Sequence, residues 1–358
     1  MKKFIINTCF FIIPFLALYA FNLMVYDQRG AEGDLARMGY FYTNPSPSSV
    51  INNQYNLPRK YTLLSEINLA SEIVNTDVMI IGDSFSEQEN VGYKNFLANM
   101  GVSVVHVDRD ISGGNPIQTL VSLMNADFFG HMKPKYVVLQ SIERDFNVRT
   151  QSIDFNAKAT SINFYKSKNT PQLSNNQNEN IAISPNKNLQ FFSDATLKMP
   201  LNNFLYLFMD RPLSSNTYKV KSSNPKLFLN NPDNLLFYKN DLRKMKVKND
   251  SSMTMNSISV LNKLSDLLKK KNIELIVLVS PDKYDLYYPY IEDSARYIKP
   301  TFYSTYENAE KEYQNIDIHT IFSRKLPEES DIYYYDDSHW SPKGAKIVAK
   351  EIFDRIKK

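Results

Sequence analysis

The chain has 358 residues, with 42 Lys and Arg against 38 Asp and Glu, for a net charge of +4. So even a balance excludes a nucleic-acid binder driven by phosphate contacts, and 358 residues are enough for a sizeable core. The one cysteine, Cys9, excludes an internal disulfide and a thiolate zinc site, and His106, His131, His319 and His339 show no metal-ligand spacing. No metal or cofactor is expected.

The first element is apolar. Phe4 to Tyr26 is roughly 23 residues without a charge, long enough to cross a bilayer of about 30 Å hydrocarbon thickness. Lys2 and Lys3 precede it, which places the N-terminus in the cytoplasm. Residues 1–26 therefore read as an anchor of the inner, cytoplasmic membrane with a short cytoplasmic tail, and the rest of the chain lies in the periplasm or outside. A cleaved signal peptide is the alternative, but its small-x-small site is poorly met, since Leu18 stands two positions before Ala20.

Residues 27–76 read as a polar linker and lead-in, with Pro45, Pro47 and Pro58. Regular alternation starts at Asp77. Val78–Ile81 is an apolar strand, followed by a helix over Glu87–Met100. Val102–Val107 is a second strand, and residues 117–129 a helix with Ile117, Leu120, Val121, Met124 and Phe128 on one face. Tyr136–Leu139 is a third strand. Continuous apolar strands with helical crossovers predict a parallel sheet covered on both faces.

Residues 150–235 break the pattern, being rich in Asn, Ser and Lys, with the polar run Gln172–Asn180. An irregular insertion is expected over about 150–255, carrying one short helix at the apolar Phe204–Met209 that packs against the domain. Order returns with a helix marked by Ile258, Leu261, Leu264, Leu267 and Leu268. A strand over Ile273–Val279, a short strand at Ile316–Ile318 and a last helix opened by Ser341-Pro342 complete the domain, 77–358.

Ser84 falls at the carboxyl end of the first strand, where an open α/β sheet presents reactive groups. A serine hydroxyl needs an adjacent base, and that base an orienting group. His339 supplies the first, and Asp337 or Asp336 the second. Four blocks in order then resemble the SGNH (GDSL) hydrolase superfamily. They are Gly82-Asp83-Ser84, Ile111-Ser112-Gly113-Gly114, the strand Pro134–Leu139, and Asp336 to His339. The resemblance implies a three-layer, flavodoxin-like α/β sandwich, Ser84 as nucleophile, and a Gly113 N–H in the oxyanion hole. Where the superfamily has Gly-x-Asn-Asp this chain has Ile142-Glu143-Arg144-Asp145, so Arg144 or Asn147 would have to replace the usual asparagine donor.

Glu143-Arg144, Pro281-Asp282-Lys283 and Asp337-Ser338-His339-Trp340 further resemble the SGNH-like domain of the alginate O-acetyltransferase group, over roughly 77–147 and 256–350. In that group the acid lies two residues before the histidine, which selects Asp337, although there the Asp-x-His precedes the serine block and here it follows. The resemblance implies O-acetylation of an exported polysaccharide, with Ser84, His339 and Asp337 catalytic and Gly113, Arg144, Asn147 and Trp340 near oxyanion or substrate. The acyl donor would come from a membrane partner. An acyl esterase on glycan or lipid, and a non-catalytic glycan-binding module of an export complex, are the competing readings. Tyr284, Tyr287, Tyr288 and Tyr290 are expected to pack rather than to stack on sugar.

Overall fold

The computed structural model describes residues 1–29, 33–41, 47–69, 73–108, 111, 114–159, 194–229 and 233–357. Its centre is a six-stranded sheet of β1 (Thr62–Leu63), β2 (Val74–Ile81), β3 (Val104–Val107), β4 (Met132–Ile142), β7 (Glu274–Ser280) and β8 (Gln314–Asn315). The order is β1-β3-β2-β4-β7-β8 and every pairing is parallel. The remaining two strands, β5 (Thr217–Lys221) and β6 (Asn234–Tyr238), form a separate antiparallel pair.

Alternate residues of each strand enter two different cores, as a period of two requires. Val78, Ile80, Val104, Val138, Ile276 and Leu278 pack on one face, against the Tyr93–Asn99 helix and the last helix, Pro342–Ile356. Met79, Ile81, Val105, Val137, Leu139, Leu275 and Val277 pack on the other, against the helices Pro116–Asn125, Ser251–Lys269 and Phe302–Asn308. Both faces being covered, the strand centres are rich in Val, Ile and Leu, and the architecture is the expected three-layer α/β sandwich.

The caps explain where helices start. Asn115 Oδ1 accepts from the N–H of Ile117 and Gln118 (3.1 and 3.2 Å) with Pro116 at the first position. Asp250 Oδ1 accepts from Ser252 and Met253 N–H, and Ser341 Oγ from Lys343 N–H ahead of the last helix.

Several boundaries differ from the sequence reading. The helix expected from Glu87 begins only at Tyr93, because a 3-10 turn over Ser84–Ser86 and further turns use the intervening residues, and Gly92 is the N-cap. The short strand near Ile316 is shifted to Gln314–Asn315, since Ile318 already opens a helix capped by Asp317. Residues 27–76 are more than a connection. They supply β1 and a short helix, Asp34–Gly39, whose Leu35 and Ala36 are buried with Phe41 in the first core. The polar run 172–180 lies outside the described residues. Around Phe204–Met209 the helix is Asp194–Leu205, seated through buried Met199 and Asn202, while Phe204, Leu207, Phe208 and Met209 face outward. The expected helix does pack against the domain, with Tyr206 of the patch set on the first core beside Phe41, and only part of the patch is left outside.

At the N-terminus one helix runs Lys2–Arg29. Its span Lys2–Ala20 has mean hydropathy 1.8 and is unburied, long and apolar enough to cross a membrane.

Candidate active site

β2, β4 and β7 end side by side, and the residues that follow each carry polar groups. After β2 come Gly82, Asp83 and Ser84, after β4 Glu143 and Arg144, and after β7 Pro281, Asp282 and Lys283. Ser84 opens the 3-10 turn, so its backbone N–H is not used by that turn. Asp83 holds the loop. Its Oδ1 accepts from Phe85 N–H (3.2 Å), and its Oδ2 from Ile142 N–H (2.7 Å) and Arg149 Nη1 (2.5 Å). Burial works to raise the Asp83 carboxyl, but the charge and hydrogen bond of Arg149 outweigh it and keep it lowered. Gln140 Oε1 accepts from Asp83 N–H and Ser86 Oγ, both at 2.9 Å. A Cβ on Gly82 would stand 1.9 Å from Ser86 Oγ and 2.6 Å from that Gln140 oxygen, so only glycine admits this approach.

The loop before the last helix brings His339 to the same rim. Its Nε2 lies 2.8 Å from Ser84 Oγ, and its Nδ1 2.6 Å from Asp337 Oδ1. The imidazole also packs on Phe85, with ring centroids 4.5 Å apart. Asp337 Oδ1 accepts from His339 N–H (2.9 Å), fixing carboxylate and ring together. Ser84 and His339 are part-exposed, so an ester can reach them. Asp336 is elsewhere. Its Oδ2 accepts from Gly33 N–H (2.9 Å) and its carbonyl from Leu35 and Ala36 N–H.

A second acid, Asp34, completes the cluster, and nothing in the sequence pattern announces it. Asp34 N–H donates to Asp337 Oδ2 (3.0 Å), and Asp34 Oδ1 and Oδ2 accept from the N–H and hydroxyl of Ser338 (2.7 and 2.6 Å). Its Oδ2 is 4.0 Å from His339 Nδ1. A Cβ on Gly33 would meet the Asp336 carbonyl oxygen at 2.3 Å, so the linker lies hard against the histidine loop. Lys283 supports that loop from within, donating from Nζ to the carbonyls of Tyr334, Tyr335 and Asp337.

Charge follows from this geometry. Burial alone would lower the His339 pKa. The charge of Asp337, its hydrogen bond and the charge of Asp34 outweigh that and hold it above the ordinary value. Asp34 is raised by burial and by the charge of Asp337, whereas Asp337, though buried, is held well below the usual carboxylate range by His339 and by its hydrogen bonds. Burial pushes the Lys283 ammonium down to about 7 against the pull of Asp336, Asp337 and Asp34.

The other candidates lie differently. Arg144 Nη1 donates to Asp241 (3.2 Å) and Asp282 (2.9 Å), and the guanidinium lies over Tyr238. It ties elements together and adds positive charge near His339. Asn147 is not at the site. Its amide donates to the Val247 carbonyl and Thr254 Oγ1 and accepts from Ser257 Oγ, inside a helix contact. Trp340 is fully buried against Phe85, Tyr93 and Phe322. Gly113 lies outside the described residues. Tyr284 and Tyr287 are buried against Phe237 and Phe228.

Among the described residues, two groupings bring acidic or imidazole atoms close enough to share a cation, Asp34–Asp337–His339 and Glu143–Asp282–Asp285. In the second, Lys248 Nζ already sits among the carboxylates at 3.2, 2.7 and 2.7 Å. In the first, hydrogen bonds to the imidazole and to Ser338 account for the carboxylates.

The carboxyl rim of the parallel sheet thus joins Ser84, His339 and Asp337 in one hydrogen-bonded relay, as the SGNH resemblance of the sequence blocks implies. Comparison with protein families agrees. Residues 231–358 match the SGNH hydrolase-like domain of acetyltransferase AlgX, a stretch that holds Pro281-Asp282-Lys283 and Asp337-Ser338-His339-Trp340 but not Ser84. No curated protein and no solved structure matches the chain.

Proposed function

We propose that the protein is a membrane-anchored serine acyltransferase of the cell envelope, which O-acetylates an exported or cell-surface polysaccharide. The observation that carries this reading is the continuous relay from Ser84 Oγ to His339 Nε2 (2.8 Å) and from His339 Nδ1 to Asp337 (2.6 Å). The match to the domain of an acetyltransferase favours acetyl as the group moved.

In the first step Ser84 Oγ attacks the acyl carbonyl while its proton passes to His339 Nε2. Asp337 keeps the other ring nitrogen protonated and stabilises the imidazolium. The oxyanion is received by the backbone N–H of Ser84, with Gly113 as the second donor. The ester C–O bond then breaks, and the leaving oxygen takes the proton from His339. In the second step a glycan hydroxyl, deprotonated by His339, attacks the acyl-enzyme, the bond from the acyl carbon to Ser84 Oγ breaks, and His339 returns the proton to Ser84 Oγ. Outside the cytoplasm the acyl donor would be handed over by a membrane acyltransferase, and the Lys2–Arg29 helix as a retained inner-membrane anchor keeps the domain beside it.

The test gives the full chain, in detergent, an activated acetyl ester with and without oligosaccharides. Release of the leaving group that disappears in Ser84→Ala supports serine catalysis, and acetyl on the sugar supports transfer. Acetate alone, with every acceptor tried, supports the esterase. No acylation of Ser84 by any ester or serine-directed probe supports a non-catalytic binding module.

A further inference from the structure

The Asp194–Leu205 helix and the turn after it expose a group of large apolar side chains. Leu201, Phe204, Leu207, Phe208, Met209 and Leu213 all face solvent, Leu207 and Phe208 at 73% and Leu213 at 93%. The rings of Phe204 and Phe208 touch, with centroids 5.3 Å apart, so the end of the helix and the turn after it share one apolar surface. Contiguous apolar surface of this kind marks an interaction site.

Three observations say what covers it. First, the helix is fixed to the segment that leaves the N-terminal helix. Asn202 Nδ2 donates to the Gly39 carbonyl (2.8 Å) and Asn203 Nδ2 to the Tyr40 carbonyl (3.4 Å), while Thr217 Oγ1 donates to the Leu35 carbonyl (2.7 Å). Second, that segment starts close to the apolar helix. Arg29 ends the helix and Gly33 already bonds to Asp336, so four chain steps, about 14 Å at full extension, separate the two. Third, the Lys2–Arg29 helix itself packs against Asp194–Leu205. An apolar crown joined to a membrane-spanning helix meets lipid at the point where that helix emerges.

We propose that Leu201, Phe204, Leu207, Phe208, Met209 and Leu213 form a membrane-seating surface that inserts into the leaflet from which the anchor emerges. The crown lies in the interface, in the manner of an amphipathic helix, and adds a second attachment to the span. The domain is then held at a fixed height and orientation. Because Asp34 of the same linker touches Asp337 and Ser338, the Ser84 cleft is kept beside the bilayer. The proposal rests on the anchor reading and not on the acyl-transfer chemistry.

The test uses the full chain with Cys9→Ser, reconstituted in phosphatidylcholine and phosphatidylglycerol vesicles. Single cysteines replace Leu207, Leu213 or, as control, Met255, which is exposed on the Ser251–Lys269 helix across the sheet. Each carries an environment-sensitive fluorophore. The expected result is a blue shift and strong quenching by shallow spin-labelled lipid at 207 and 213, and neither at 255, where aqueous iodide quenches instead. In Leu207→Cys with Phe204→Ser and Phe208→Ser added, the lipid quenching falls. Iodide access at 207 and 213 equal to that at 255, in chains that resist carbonate extraction, overturns the proposal while leaving the anchor in place. Protection from iodide without lipid quenching, lost on dilution to one chain per vesicle, means that a second copy covers the crown and equally overturns it. Extraction of the chain by carbonate removes the anchor reading and the proposal with it, and leaves the ester assay untouched.

Discussion

His339 sits between a hydroxyl on one nitrogen and two carboxylates near the other, and this sets its working pH. Only the neutral imidazole accepts the Ser84 proton. Burial lowers its pKa, but Asp337 and then Asp34 raise it further than burial depresses it. The acid limb of kcat/KM for ester turnover should therefore lie above the ordinary histidine value of about 6.5. Asp34→Asn removes one negative charge, so the limb should move to lower pH, with a smaller loss of kcat than at the triad itself. A limb that stays in place in Asp34→Asn would mean that Asp34 acts only through hydrogen bonds. The same raised pKa gives stability that is fully present below about 6.5 and is lost as pH rises through the folded value. The two neighbouring acids separate cleanly. Asp337→Asn should lower kcat by about 10⁴-fold, since an amide holds the wrong tautomer. Asp336→Ala should leave the chemistry largely intact and cost about 1–3 kcal/mol of stability, because it leaves the Gly33 N–H buried without its acceptor. Pre-steady-state acylation and thermal melts of both variants check this pair.

At the scale of elements, the loops at the strand ends are held by contacts that leave no room for change. Gly82→Ala must displace Ser86 Oγ or Gln140 Oε1, two of the groups that shape the Ser84 turn. Overpacking of this kind costs about 1–3 kcal/mol, and the turn it distorts carries the nucleophile. Acylation should slow more than stability suggests, which single-turnover kinetics beside a melt would show. The strands are legible in the sequence because Val78–Ile81, Val102–Val107, Tyr136–Leu139 and Ile273–Val279 are covered on both faces, which leaves apolar runs interrupted only at Ser103, His106 and Glu274. The last helix is legible from Ser341-Pro342. β1 is not, since two residues at a sheet edge make no pattern, and the helix after Ser84 starts six residues later than helical spacing suggests, because that spacing gives no sign of a preceding 3-10 turn. Ser84 and His339 stood in recognisable blocks. Asp34 did not, because its partners lie 303 and 304 positions away and no local periodicity records such a contact. Arg144, Asn147 and Trp340 were carried into the site by their place in a motif, whereas their surroundings turn them to ion pairing, helix packing and the core.

At the scale of the whole molecule, the stretch between the apolar N-terminal helix and the sandwich packs into the sandwich. Leu35, Ala36 and Phe41 are buried in the first core, and Gly33 and Asp34 grip the Asp336–Ser338 loop. Two soluble fragments should therefore behave differently, although both lack the apolar helix. One that starts at residue 30 keeps Leu35, Phe41 and the grip on the loop. It should melt cooperatively and turn over an activated ester. One that starts at residue 42 loses the burial of Leu35 and Phe41, at about 1.5–3 kcal/mol each, and the hydrogen bonds that hold Asp337. A loss of about 3–6 kcal/mol is a large part of the 5–15 kcal/mol typical of a folded domain. Its melting temperature should fall steeply and its acylation rate should drop even at temperatures where it remains folded, because Asp337 has lost the backbone N–H that fixes it. Equal melting and equal acylation in the two fragments would show that the linker only connects. A fall in melting temperature with unchanged acylation would show that it stabilises the sandwich without positioning the relay.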